Sequence, residues 1–299
     1  MAAKAAILAQ AGLLPYTRDF QVNGDAKGVA RSKISRRRIW KRKARGAVAA
    51  AIGVISLDGR WIESHTIETT RWTIATRLDP VLKIAQVSDL HVVRFRQRER
   101  EAVRILEEER PDAVLVTGDS VGDGFHYDQA HAVLSAIAAT RPPLGAWVVN
   151  GNWETMDPVE NEHEFYQTTG LRFLPNRGVL LRPGVWLAGL DDPSTGEPDL
   201  GRALQGAPAD AYVIAMFHSP AYFAGTSGRY DLALAGHTHG GQVNLGIRPF
   251  WLPRGSGRFL KGWYEERGSR MYVSRGVGWS HVPIRVNCAP EIPIFTIGG

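Results

Sequence analysis

"DLALAGHTHGG", residues 231–241, sets a short apolar run directly before two histidines embedded in glycines. The run is too short for an ordinary helix and reads as a buried strand. The glycines after it let the backbone turn sharply and come close to a bound group. The same design recurs along the chain. "KIAQVSDLH" (83–91) ends in Asp89 and His91, and "DAVLVTGDS" (112–120) in Gly118 and Asp119. "GAWVVNGNWE" (145–154) ends in Asn150 to Glu154, "VWLAGLDDP" (185–193) in Asp191 and Asp192, and "AYVIAMFHSP" (211–220) in His218. Six apolar runs therefore end in polar clusters at the same relative place.

Helical patterns lie between the early runs. Residues 97–110 put Val103 and Leu106 on one face beside Ala102 and Ile105. Asp128 is the expected N-cap of a helix over 128–139 with Val133, Leu134 and Ile137 inward. "IETTRWTIATR" (67–77) reads as one strand entering the folded body. Strands alternating with helices argue for α/β layers, whose ligands gather beyond the carboxyl ends of the strands. The later half carries more strands than helices. The expected fold is thus α/β in four layers, a central β-sandwich flanked by helices, with the site at the carboxyl ends of the strands. The Gly/Pro-rich segment 251–263 reads as a surface or substrate-side loop.

With 299 residues the chain can bury a full core. Its single cysteine, Cys288, excludes an internal disulfide and a multi-thiolate zinc site. The net charge of +6 is unevenly spread: the first 45 residues hold 12 basic and two acidic side chains, leaving −4 for the remainder. The body therefore shows no basic footprint for nucleic acid, and no nucleic-acid partner is expected. The basic block is followed by an apolar stretch, Ala47 to Leu57. That is shorter than the roughly 20 residues a membrane-spanning helix needs. "SRRRIWK" (35–41) resembles a twin-arginine export signal, with Ile39-Trp40 where Phe-Leu is usual. Residues 1–66 are expected to form a basic leader, either an export signal read by the twin-arginine machinery or an uncleaved anchor on a membrane surface. Residues 67–299 form the folded domain. Localisation follows the same alternatives: exported to the periplasm or envelope, or held at the cytoplasmic face of the membrane.

Asp89 and His91 are spaced i, i+2, which on extended chain points both side chains to one side. His237 and His239 repeat that spacing. With Asp119, Asn152 and His218 they form a set of oxygen and nitrogen donors suited to Mn²⁺, Fe²⁺ or Zn²⁺ rather than Ca²⁺. Seven donors exceed the usual shell of one ion and fit two ions sharing a carboxylate. His65, His126, His131, His163 and His281 have no motif around them and read as structural. Asp191 and Asp192 read as a turn fixed by Pro193, or as neighbours of the site. Asp123 and Glu154 read as loop or supporting residues; Arg275 and Arg285 could face a phosphate but read as surface charges.

Taken together, "SDLH", "GDSVGD", "GNWE", "FHSP" and "GHTHGGQ" resemble the ordered signature of the calcineurin-like metallophosphoesterases over residues 82–299. The "IETT" entry strand, the "GHTHGGQ" ending and "RGVGWSHVPIRVNCAPEI" (275–292) resemble bacterial exported or membrane-associated members. The resemblance implies a two-metal hydrolase of phosphoester bonds. It implies that Asp89, His91 and His239 hold one ion, that Asn152, His218 and His237 hold the other, and that Asp119 bridges them. It casts Asp119, Asn152 and His237 as catalytic, and Asn152, Trp153 and His218 as substrate contacts.

The family usually has His where this chain has Trp153, and that His commonly protonates the leaving group or orients the phosphate. An indole N–H donates a hydrogen bond but transfers no proton at neutral pH. Three consequences stay open. The enzyme favours diesters or pyrophosphates with good leaving groups; or the ring stacks on a base, sugar or lipid chain; or Trp153 is packing, and His281 or His126 supplies the proton. The implied substrate is a cell-envelope or lipid-linked phosphodiester or pyrophosphate, UDP-2,3-diacylglucosamine among them. The alternatives are a phosphomonoesterase with another general acid and a non-catalytic metal- or phosphate-binding sensor.

Overall fold

The structure, a computed structural model, describes residues 66–122, 126–244 and 252–299. The basic leader, His65, Asp123 and Trp251 lie outside the described residues.

The apolar runs form two six-stranded sheets. The first holds β1 (Glu68–Ile74), β2 (Leu82–Val87), β3 (Ala113–Thr117), β4 (Ala146–Val149), β5 (Arg172–Phe173) and the last strand, β12 (Glu291–Ile297). Their order is β1-β12-β2-β3-β4-β5, with β2 to β5 parallel, β12 antiparallel to β2 and parallel to β1. The second sheet holds β6 (Arg177–Arg182), β7 (Val185–Gly189), β8 (Tyr212–Met216), β9 (Leu232–Ala235), β10 (Gly262–Glu266) and β11 (Ser269–Val273). Its order is β10-β11-β9-β8-β7-β6, with β7, β8, β9 and β11 parallel.

Period-two alternation divides each central strand between two cores. Ala113 and Leu115 of β3 join Ile84, Ile214, Met216, Leu232, Leu234 and Phe295 in the layer between the sheets. Val114 and Val116 face the other way, onto the helices α1 (Gln97–Glu109), α2 (Tyr127–Ala138) and α4 (Glu162–Thr169), through Ile105, Leu106, Val133, Ile137 and Tyr166. The outer face of the second sheet packs on Leu200, Ala203, Phe223 and Phe259. The result is the expected four-layer α/β sandwich.

Helix ends depart from the sequence reading. The first helix stops at Glu109 because Arg110 turns left-handed (φ 45°) and closes it. The second begins at Tyr127 with His126 at the cap position; Asp128 lies inside its first turn, not at the cap. A carboxylate there still faces the positive end of the helix dipole. Because β2, β3 and β4 run parallel, and β7, β8 and β9 likewise, each set delivers its carboxyl ends together. Buried Gln86 ties the sets, donating to Thr117 Oγ1 at 3.0 Å and to the Ala235 carbonyl at 2.9 Å.

Candidate metal centre

Two buried groups assemble at the shared carboxyl ends: Asp89, His91 and His239, and Asp119, His218 and His237. Within each, the candidate donor atoms lie within 4.8 Å of one another. Neighbouring turns are zipped by backbone bonds. The Asp89 N–H donates to Gly118 O, His91 N–H to Asp119 O, and Gly236 N–H to His218 O, each at 3.0 Å. Five of the six residues sit in the left-handed region: Asp89 (φ 52°), His91 (42°), Asp119 (53°), His237 (74°) and His239 (50°). Such backbone costs about 1–3 kcal/mol per residue and concentrates at functional sites. Close approach forces glycine at two positions. A Cβ on Gly236 would stand 1.9 Å from Ser88 Oγ and 2.4 Å from Asp89 Oδ2, and one on Gly151 only 2.2 Å from Asp119 Oδ1.

The side chains converge tightly. His91 Nε2 lies 3.0 Å from His239 Nε2 and 3.5 Å from Asp119 Oδ2. His239 Nε2 is 3.4 Å from Asp89 Oδ1. His218 Nε2 is 3.1 Å from Asp119 Oδ2, near enough for charge attraction but outside hydrogen-bond geometry. His237 donates from Nε2 to the Arg254 carbonyl, so its Nδ1 lone pair faces Asn152 Oδ1 at 2.8 Å. Two acceptors in that contact repel unless a cation stands between them. The buried His218 Nε2 has no hydrogen-bond acceptor, and the donor set is mixed oxygen and nitrogen. Both features fit a dinuclear divalent centre.

Supporting groups aim the donors. The His237 N–H donates to both Asp89 oxygens at 3.0 and 3.1 Å, and the Trp153 N–H to Asp119 Oδ1 at 3.0 Å. Glu154 is 2% exposed and accepts the N–H groups of Asp119, Ser120, Val121 and Gly151, gathering two strand-end turns on one carboxylate. Asp192 accepts from Ser194, Thr195 and Ser219 as a turn anchor. Arg285 overturns the expectation of a surface charge. It is wholly buried and donates to the carbonyls of Arg275, Gly276, Gly278 and Cys288 and to His239 Nδ1, the last at 3.3 Å. Arg275 sits at the margin, paired with Glu68 and Glu291.

Without metal, burial lowers His91 and His237 to about 4 and holds His239 well below the histidine range. Neutral imidazoles need shed no proton to bind an ion. Burial also opposes charge on His218, but the Asp119 carboxylate outweighs it and keeps this ring protonated. In return His218 overcomes the burial of Asp119 and holds that carboxyl below its ordinary range. Burial raises Asp89 to about 6.

A cleft of about 410 Å³ opens over the centre, lined by Asp119, Asn152, Trp153, Met156, His237, His239 and Arg254 with Ser194, Thr195, Pro253, Ser280 and His281. Asn152 and Trp153 open the short helix α3 (Asn152–Met156). The indole stands edge-on to His91 (centroids 5.2 Å) and tilted to His281 (5.9 Å). His218, expected to touch substrate, is wholly buried and does not line the cleft. His126 does not line it either; His281 does. Pro253 and Arg254 bring the 251–263 segment to the substrate side. Sequence reasoning missed Arg254 and the inward-facing Arg285; neither carries a local motif.

Residues 82–241 match the model of the calcineurin-like phosphoesterase family. An uncharacterized metallophosphoesterase of Bacillus subtilis, YkuE, is 30% identical over 291 residues, covering 89% of this chain and 98% of the relative. One from Aquifex aeolicus is 31% identical, covering 80% of this chain and 92% of the relative. The Escherichia coli phosphodiesterase YaeI is 28% identical, covering 88% and 99%. The chain belongs to the calcineurin-like phosphoesterase family and is a metal-dependent phosphoester hydrolase.

Proposed function

We propose that this calcineurin-like phosphoesterase cleaves phosphodiesters and pyrophosphates in preference to phosphomonoesters. The lining of the cleft carries the proposal. Among its described residues Arg254 is the one permanently cationic side chain, while Trp153, Met156 and Pro253 offer apolar surface. A diester brings an organic group for each side of phosphorus, and this apolar part of the lining can hold one of them. Trp153 supplies a flat wall for one of them. The name of the E. coli relative agrees with this preference.

We assign Asp89, His91 and His239 to one divalent ion, Asn152, His218 and His237 to the other, and Asp119 to both. Mn²⁺, Fe²⁺ or Zn²⁺ suits these donors. Two such ions, when bound, acidify a water towards pKa ~7 and neutralise charge on the phosphoryl oxygens. Asp119 is held ionised by His218 and fixed by the Trp153 N–H, so it keeps its place as substrate enters. Asn152 faces the cleft and donates its amide to an equatorial oxygen.

The basic block and the apolar stretch 47–57 support placement at the cell envelope, as in an exported or membrane-associated subgroup ending in "GHTHGGQ". No helix among the described residues is long and apolar enough to cross a membrane. An exported enzyme would meet an envelope phosphodiester; one anchored at the inner face would meet a lipid-linked pyrophosphate such as UDP-2,3-diacylglucosamine. The test strips the full chain with chelator, restores Mn²⁺, Zn²⁺ or Fe²⁺, and compares bis-p-nitrophenyl phosphate with p-nitrophenyl phosphate. We expect the diester to be turned over at least ~10-fold faster, a difference of about 1.4 kcal/mol in barrier. Monoester preference would overturn the proposal.

A further inference from the structure

Leaving groups with alkoxide character need a proton as the bond to phosphorus breaks, and a placed donor is worth about 10²–10⁴ in rate. Of the cleft's described lining, Asp119, His237 and His239 belong to the ion groups, and Asn152, Ser194, Thr195, Ser280 and Trp153 transfer no proton at neutral pH. Arg254 stays charged. His281 remains: an imidazole, the side chain best suited to give and regain a proton.

Its loop is held in an unusual way. His281 is in the left-handed region (φ 61°), as is Gln242 (φ 46°). The Gln242 amide nitrogen donates to the carbonyls of Ser280 (3.1 Å) and Val282 (2.9 Å), and its oxygen accepts the Ser280 N–H at 2.9 Å. One side chain thus clasps the residues on both sides of His281. The backbone repeats the tie: Val286 N–H donates to Gln242 O, and Asn244 N–H to Val286 O, each at 2.9 Å. Gln242 closes the same turn that presents His237 and His239; its own N–H donates to the His239 carbonyl at 2.9 Å. The distance between the ion groups and His281 is therefore set by one short segment.

We infer that His281 is the proton donor to the leaving group, standing beside Trp153, and that Gln242 is its positioning residue. The inference rests on the hydrolase reading above. Water forms the new bond to phosphorus and loses a proton to solvent. The bond from phosphorus to the leaving oxygen breaks with its electron pair on that oxygen. The oxygen takes the proton of the His281 imidazolium, and the imidazole regains one from bulk water. Exposure of His281 beside the cleft provides that return path.

The experiment follows kcat of the full, Mn²⁺-loaded chain on two diesters, one leaving as p-nitrophenolate and one as an alkoxide. His281→Ala and His281→Gln should lose ~10²-fold or more with the alkoxide and little with p-nitrophenolate. Gln242→Met should show the same bias at smaller size, since the clasp and not the acid is removed. Trp153→His placed in His281→Ala should restore part of the alkoxide rate. Equal losses on both substrates, or no rescue together with an unchanged bias, would overturn the inference. Absence of any chelator-sensitive turnover in the unaltered chain would instead overturn the hydrolase reading beneath it.

Discussion

The two ion groups contain the same kinds of side chain and are held by different means. In the group of Asp119, His218 and His237, each imidazole has one nitrogen tied to a backbone carbonyl: His218 Nδ1 to Thr117 at 2.8 Å, His237 Nε2 to Arg254. The other nitrogen is left facing Asp119 or Asn152. In the group of Asp89, His91 and His239, the outer nitrogen of His239 meets Arg285, which can only donate. The ring proton is thereby placed on His239 Nε2, the atom that faces His91. His91 Nδ1 is buried with no hydrogen-bond partner. Each group thus has its own proton to displace: His218 must shed one before it can receive an ion, whereas His239 only moves one from one ring nitrogen to the other. Outer partners of this kind set metal affinity by about 10–100-fold.

The largest effect should come from the residue common to both groups. Asp119→Asn should lower turnover by ~10³-fold or more, a loss of several kcal/mol in charge stabilisation. Retained activity would mean the groups do not work as a pair. Metal titration followed by calorimetry should then show two steps separated by ~10-fold or more, one lost in His218→Ala or His237→Ala and the other in His239→Ala. A single step of two equal ions would break the comparison. Arg285→Met would leave four buried carbonyls without their donor and should destabilise the fold by about 3 kcal/mol in urea unfolding.

The smallest effect is in proton release. At pH 7 the group that still carries a removable proton is His218, whose pKa is raised by Asp119, so loading should expel about one proton. Below about 6 Asp89 is also protonated, so a second proton is displaced as pH falls. Metal affinity therefore rises with pH and weakens on acidification through about 6. Uptake without proton release, measured in buffers of different ionisation enthalpy, would count against the unequal protonation.

Much of this is legible in the sequence. Apolar runs of four to seven residues ending in Asp, Asn or His are local patterns, and local patterns survive folding; the sandwich and the meeting of Asp89, Asp119, His218, His237 and His239 follow from them. Arg285 is not legible in the sequence, because its partners are carbonyls of residues 275–278 and 288, which turn inward only once two loops have closed. Gln242 stood in view as the last letter of "GHTHGGQ", but its clasp spans about forty residues of chain, to Ser280 and Val282. Asp128 lies two positions past the cap, where His126 sits; an acid suits both the cap and the first turn, so the residue alone does not mark the helix start.

The place of β12 has a consequence for biosynthesis. This last of the described strands lies between β1 and β2, so among the described strands β1 has no neighbour until residues 291–297 arrive. Until then the open edge of β2 is available to other chains. The segment must leave the ribosome before the first sheet can close, which makes completion of this domain a late event. A nascent chain stalled short of Glu291 would expose an unpaired edge beside an already apolar face, a species for chaperones to shield.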